Sequence, residues 1–140
     1  MNSYLNYEWY RNNEPITSSY ANSLFSPNEA YIKGNLFRNL YNQYKNYQPA
    51  QLNPKNEREK KLIELSAIAF ATHELNLYLD IHPEDQSMLS LFNDYRNRQN
   101  ELREEYEREY GPLKVCSNSL EGKSIFTWES EAWPWEVKNV

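Results

Sequence analysis

The sequence predicts a mainly α protein: an antiparallel two-helix hairpin, preceded by an extended arm carrying one short helix and followed by an irregular aromatic tail. Three observations lead there. Residues 55–80 contain no Gly or Pro and repeat apolar residues at helical spacing. Pro83 on one side and Gly111-Pro112 on the other bound a second stretch of similar length. So few residues separate the two stretches that they must return antiparallel.

The arm comes first, over residues 1–54. It is rich in Asn, Tyr and Ser, and Pro15, Pro27, Pro49 and Pro54 interrupt any sustained period. Within it, SPNEAYIKGNLF predicts a short helix over about 27–33. Ser26 is the N-cap, Pro27 suits the first helical position, Glu29 completes a capping box and Gly34 suits the C-terminal turn. Around it, Leu24, Phe25, Ile32, Leu36, Phe37, Leu40 and Tyr41 form an apolar set too small to be a core alone, so they must pack on something else.

The first arm of the hairpin is KNEREKKLIELSAIAFATHELNLYLD, residues 55–80. Leu62, Leu65, Ile68 or Ala69, Thr72, Leu75 and Leu79 make its stripe, widened by Ile63, Phe70 and Leu77. Small Ala67, Ala69 and Ala71 permit close approach of a neighbour. The second arm is expected over about 83–109, with Pro83 at its first position and Glu84 and Asp85 favouring the positive end of its dipole. Its stripe is Met88, Leu91, Phe92, Tyr95, Leu102, Tyr106 and Tyr110, interrupted by Arg98 and Gln99. The acid-rich run 101–109 reads as a solvated face, with Glu101–Arg103 and Glu104–Arg108 pairs. The tail, 112–140, has aromatic patches and one candidate strand near Ser124–Trp128.

Composition narrows the function. A net charge of -5 opposes a nucleic-acid backbone as partner. No apolar run is long enough to span a membrane, and MNSYLNYEWYRNN has neither the basic nor the apolar part of a secretory signal, so synthesis in the cytoplasm is expected. Of the 12 tyrosines, eight precede residue 48, which fits either AT-rich codon usage or a binding surface. The single Cys116 excludes an intrachain disulfide and reads as a tolerated thiol.

Chemistry is hard to find. His73, Glu74, Asp80 and His82 invite a metal reading, but a zinc-binding helix needs a second His four residues after the first, and position 77 is Leu. His73 reads as a packing residue and His82 as a loop residue. There is no phosphate loop, nucleophile elbow or Cys/His constellation, so no catalytic residue, metal or cofactor is expected. A two-helix hairpin cannot surround so wide an apolar stripe. The remaining surface must be covered by the arm, the tail or another chain, and an assembly module is the reading that follows.

LNLYLDIHPEDQ, then LFNDYRNRQNELREEYEREYGPL and a closing WPWE, resemble the spore coat protein CotJB family over about residues 62–136. Upstream, LFSPNEAYIKGNLFRNLY resembles the companion family CotJA, with departures at Asn35, Arg38 and Asn39; Ala132 departs from the usual Pro before the first tryptophan of the box. The resemblance implies a structural component of the endospore coat, made in the mother cell and docked on other coat proteins, the manganese-catalase-like one foremost. Homo-oligomer or hetero-complex is expected. The residues expected to meet a partner are Trp128, Trp133, Pro134, Trp135 and Glu136 of the tail and Phe25, Leu36, Phe37 and Tyr41 of the arm. The alternative is a redox accessory or metal-handling protein of the same coat, which would draw on His73, His82 and Cys116.

Overall fold

A computed structural model describes residues 23–39, 45, 46, 48, 51–126 and 128. The first helix, α1 (Pro27–Lys33), begins where the capping chemistry predicts. The Ser26 hydroxyl accepts the Glu29 N–H, and the Glu29 carboxylate accepts the Ser26 N–H at 3.2 Å. Gly34 then turns the chain in the left-handed region at φ 72°, which costs glycine nothing, and its N–H bonds back to Ala30. The two flanks of α1 pair with each other. Phe25 N–H donates to Leu36 and Arg38 N–H to Ser23, at 2.8 and 2.9 Å, so an isolated antiparallel bridge between Leu24 and Phe37 closes the segment into a loop.

The hairpin follows as α2 (Glu57–Ile81) and α3 (Gln86–Tyr110). Asn56 caps α2 by accepting the Glu59 N–H at 2.8 Å. At the hinge the outcome differs from expectation. Pro83 does not open α3; Asp85 does, its carboxylate accepting the N–H groups of Ser87 and Met88 while His82–Asp85 forms the connecting turn. A side-chain cap satisfying two orphan donors outweighs the preference of proline for the first turn. The Asp85 carboxylate also accepts the Tyr78 hydroxyl at 3.1 Å, tying the cap to the end of α2.

Two apolar clusters hold the helices together. At the open end of the hairpin, Leu65 and Ile68 of α2 meet Leu102 and Tyr106 of α3. At the hinge end, Ala71, Leu75 and Met88 are joined by Ala30, Leu36 and Phe37, with Phe92, Tyr95 and Leu79 around them. The arm thus supplies half of the hinge-end core. Each Leu or Phe so buried contributes about 1.5–3 kcal/mol. After α3, Gly111 and Pro112 end the helix, a 3-10 turn spans Asn118–Leu120, and the candidate strand near Ser124–Trp128 is not formed among the described residues. A lone strand with no neighbour to pair with leaves its backbone donors better served by water.

Candidate docking surface

The residues expected to meet a partner fall into three groups. Leu36 is fully buried and Phe37 is 9% exposed, both within the core that the chain makes with itself. Phe37 stacks on Tyr78 with ring centroids 5.0 Å apart, and the Leu36 N–H donates to the Glu74 carboxylate at 3.3 Å. Their expected partner is therefore met inside the chain in this conformation. Phe25 is half-buried, with the Lys33 ammonium 4.8 Å and the Arg38 guanidinium 4.3 Å from its ring centre. Trp128 is half-buried in the tail. Tyr41, Trp133, Pro134, Trp135 and Glu136 lie outside the described residues.

Glu74 carries no signal in the sequence, because the arm it binds lies 38 residues away. Glu107 is the second residue that the sequence reading misplaces. It lies in the acid run expected to be solvated, yet it is 6% exposed. Its carboxylate accepts the Leu113 N–H at 3.0 Å and the Ser117 hydroxyl, and the same hydroxyl accepts the Ser119 N–H at 3.2 Å. One buried carboxylate thereby folds the start of the tail back over the end of α3. Each of its two oxygens thus has a donor, as a buried polar group requires.

The polar contacts of α3 also differ from the internal pairing expected of it, and two of them cross to α2. Glu101 pairs with Arg98 at 3.2 Å, not with Arg103, whose guanidinium instead reaches Asn100. Arg98 crosses to Glu64 at 3.3 Å, and Lys61 crosses to Glu109 at 2.6 Å. The hydrogen bond to Glu109, helped by its charge, holds the Lys61 ammonium above its ordinary pKa; the same bond holds the Glu109 carboxyl below its own. Desolvation, followed by the charge of Glu109, raises the Tyr110 phenol. Beside them Arg58 donates to the Tyr106 hydroxyl at 3.1 Å.

Among the described residues, apolar side chains remain exposed on α2 and beyond α3, besides Tyr31 of α1 and Leu89 of α3. On α2 they are Leu62, Leu77 and Ile81, the last 76% exposed. Beyond α3 they are Leu113, Val115, Ile125 and Phe126, with Ile125 74% exposed. His73 and Cys116 are exposed, and His82 lies over Tyr78 with ring centres 4.5 Å apart. Among the described residues no three of His, Cys, Asp and Glu converge as metal ligands would, and no helix is long and apolar enough to cross a membrane.

No curated protein and no solved structure matches the chain. A family model described as CotJB protein matches residues 59–136, which takes in α2 from its first turn, the hinge, α3 and the tail through the WPWE box. The match does not extend to residues 23–39, so the CotJA-like reading of the arm has no support from it. The helical hairpin, the HPED hinge and the buried Glu107 that anchors the tail all lie inside the matched stretch, and the chain belongs to the CotJB family of spore coat proteins.

Proposed function

We propose that this chain is a structural, non-catalytic part of the endospore coat that docks on other coat proteins through its hairpin, its arm and its aromatic tail. The manganese-catalase-like protein is the first candidate partner. Synthesis in the mother cell precedes incorporation, and the arm acts as a CotJA-like unit fused to the CotJB-like hairpin. The observation that carries the reading is the tail. Glu107 orders its first residues, while Ile125 and Phe126 are 74% and 59% exposed and have no covering among the described residues. An ordered base presenting exposed large apolar residues is how a binding segment keeps its ordering cost low.

Affinity purification from sporulating cells tests this. Full-length protein is expected to retain coat proteins and to enter the coat, whereas Ile125→Asp with Phe126→Asp, or loss of residues 128–140, is expected to lose both. Unchanged association and unchanged incorporation in both variants would overturn the reading.

A further inference from the structure

The loop that packs on the hinge end of the hairpin is shaped by its own bonds. Ser26 and Glu29 cap α1, Gly34 ends it, and the Phe25 and Arg38 N–H groups close the flanks on Leu36 and Ser23. Inside that closure the Phe37 N–H donates to the Asn35 side chain at 3.1 Å, and the Arg38 guanidinium donates to the Leu24 carbonyl at 2.8 Å. A segment braced in this way has little ordering left to do when it meets a surface.

What the loop presents to the hairpin is a two-residue anchor. Leu36 is buried with Ala71, Leu75 and Met88, Phe37 stacks on the Tyr78 ring, and the Leu36 N–H reaches the Glu74 carboxylate. The hairpin side suits that anchor residue by residue. Ala71 is short enough to leave room for a branched side chain, Met88 can adapt to its shape, and Tyr78 offers a flat ring to an aromatic. Glu74 accepts a backbone N–H, a contact that asks nothing of the ligand's side chains. All five hairpin residues lie inside the stretch that matches the CotJB family model, and the loop lies wholly outside it, so the surface and its occupant are separate pieces of sequence.

We propose that Ala71, Glu74, Leu75, Tyr78 and Met88 form a docking site for a short protein loop that presents adjacent Leu and Phe. The arm is its resident ligand, and a loop of the same pattern on a separate chain replaces it. The buried Leu and the stacked Phe are the anchors, as central apolar and aromatic residues are in other protein interfaces. The capped turn and the left-handed Gly34 hold the two anchors in place. The site rests on the packing of the arm and not on the tail, so it stands or falls apart from the reading of the tail above.

Fluorescence anisotropy of a labelled synthetic peptide of residues 23–38, added to the purified full-length protein, is the test. Two variants vacate the site by different routes. Leu36→Asp with Phe37→Asp removes the anchors of the arm, and Gly34→Val forces a β-branched residue into the left-handed region at φ 72°, which misshapes the loop and leaves its anchors intact. The peptide should bind both vacated chains. Wild type offers only the fraction of chains whose arm has lifted, so its apparent affinity for the peptide should be at least roughly tenfold weaker. Glu74→Lys added to either vacated chain should abolish binding, and so should Asp at positions 36 and 37 of the peptide. Equal binding to wild type and vacated chains overturns the proposal, as does equal binding of the altered peptide. Absence of binding to vacated chains that keep their helix content by circular dichroism overturns it too. If both vacated chains lose helix, the peptide should restore it; failure to restore it would make the arm an integral part of the core and would end the proposal.

Discussion

Leu36→Ala tests whether the arm is part of the folded unit. The side chain is fully buried among Ala30, Phe37, Ala71, Leu75 and Met88. Truncation removes the transfer energy of the lost methyl and methylene groups and leaves a cavity, a combination that costs about 3–5 kcal/mol when the surroundings stay rigid. Two features of this site bear on the figure. Ala30 and Ala71 are too short to reach into the space, which pushes the cost up. Met88 is unbranched and adaptable and can partly fill it, which pulls the cost toward the lower end, about 3 kcal/mol. With a urea dependence of about 1.5 kcal/mol per molar, typical of a small domain, the unfolding midpoint should fall by about 2 M. Helix loss followed by circular dichroism gives that midpoint, and amide exchange across residues 27–37 gives the arm separately. If the arm undocks before the hairpin melts, exchange accelerates in the arm first and the helix midpoint falls by less. An unchanged midpoint together with unchanged exchange in 27–37 would refute the packing of Leu36 against α2.

Two other perturbations follow from the polar contacts. Glu107→Ala leaves the Leu113 N–H and the Ser117 hydroxyl without their acceptor, at about 1–3 kcal/mol to the local fold, whereas Glu107→Gln retains one acceptor oxygen and should lose less. Protease sensitivity between residues 111 and 126 should rise strongly in the first variant and weakly in the second; equal sensitivity in both would argue against the anchoring role. For Lys61–Glu109, the stability difference between wild type and Glu109→Gln should be small, positive and flat through neutral pH. Because the folded pKa of Glu109 is lowered, its share is present above the unfolded value and lost as pH falls through the folded one; because that of Lys61 is raised, its share is lost as pH rises through the folded one. Urea midpoints of the two proteins from acid to alkaline pH should show that plateau, and a difference that grows in acid would contradict it.

Elements set by neighbouring residues were legible in the sequence, and those set by distant ones were not. Ser26, Glu29 and Gly34 act within a few residues of one another, and α1 spans the predicted residues. The Gly- and Pro-free run gives α2 to within two residues at its start and one at its end. The start of α3 was misjudged because two helix-starting signals lie two residues apart, and the side-chain bonds of Asp85 prevail over the backbone preference of Pro83. Glu107 looked like any other acid on a charged face, since what buries it is a turn that begins only after the helix ends. Leu36 and Phe37 read correctly as needing cover, but the surface that covers them is the hairpin itself. Apolar patterning shows that a side chain seeks a partner without showing whose it is.

The arm's place in the hinge-end core has a further consequence, in terms of concentration. Leu36 is tied to Glu74 and the surface around Leu75 through 38 residues of the same chain, which holds the arm at its own binding surface at an effective concentration on the order of millimolar. A contact far too weak to hold two separate molecules together at cellular concentrations stays closed under that tether. Cutting the chain between Asn39 and Gln51 would turn one fold into a two-body equilibrium that dilution pulls apart.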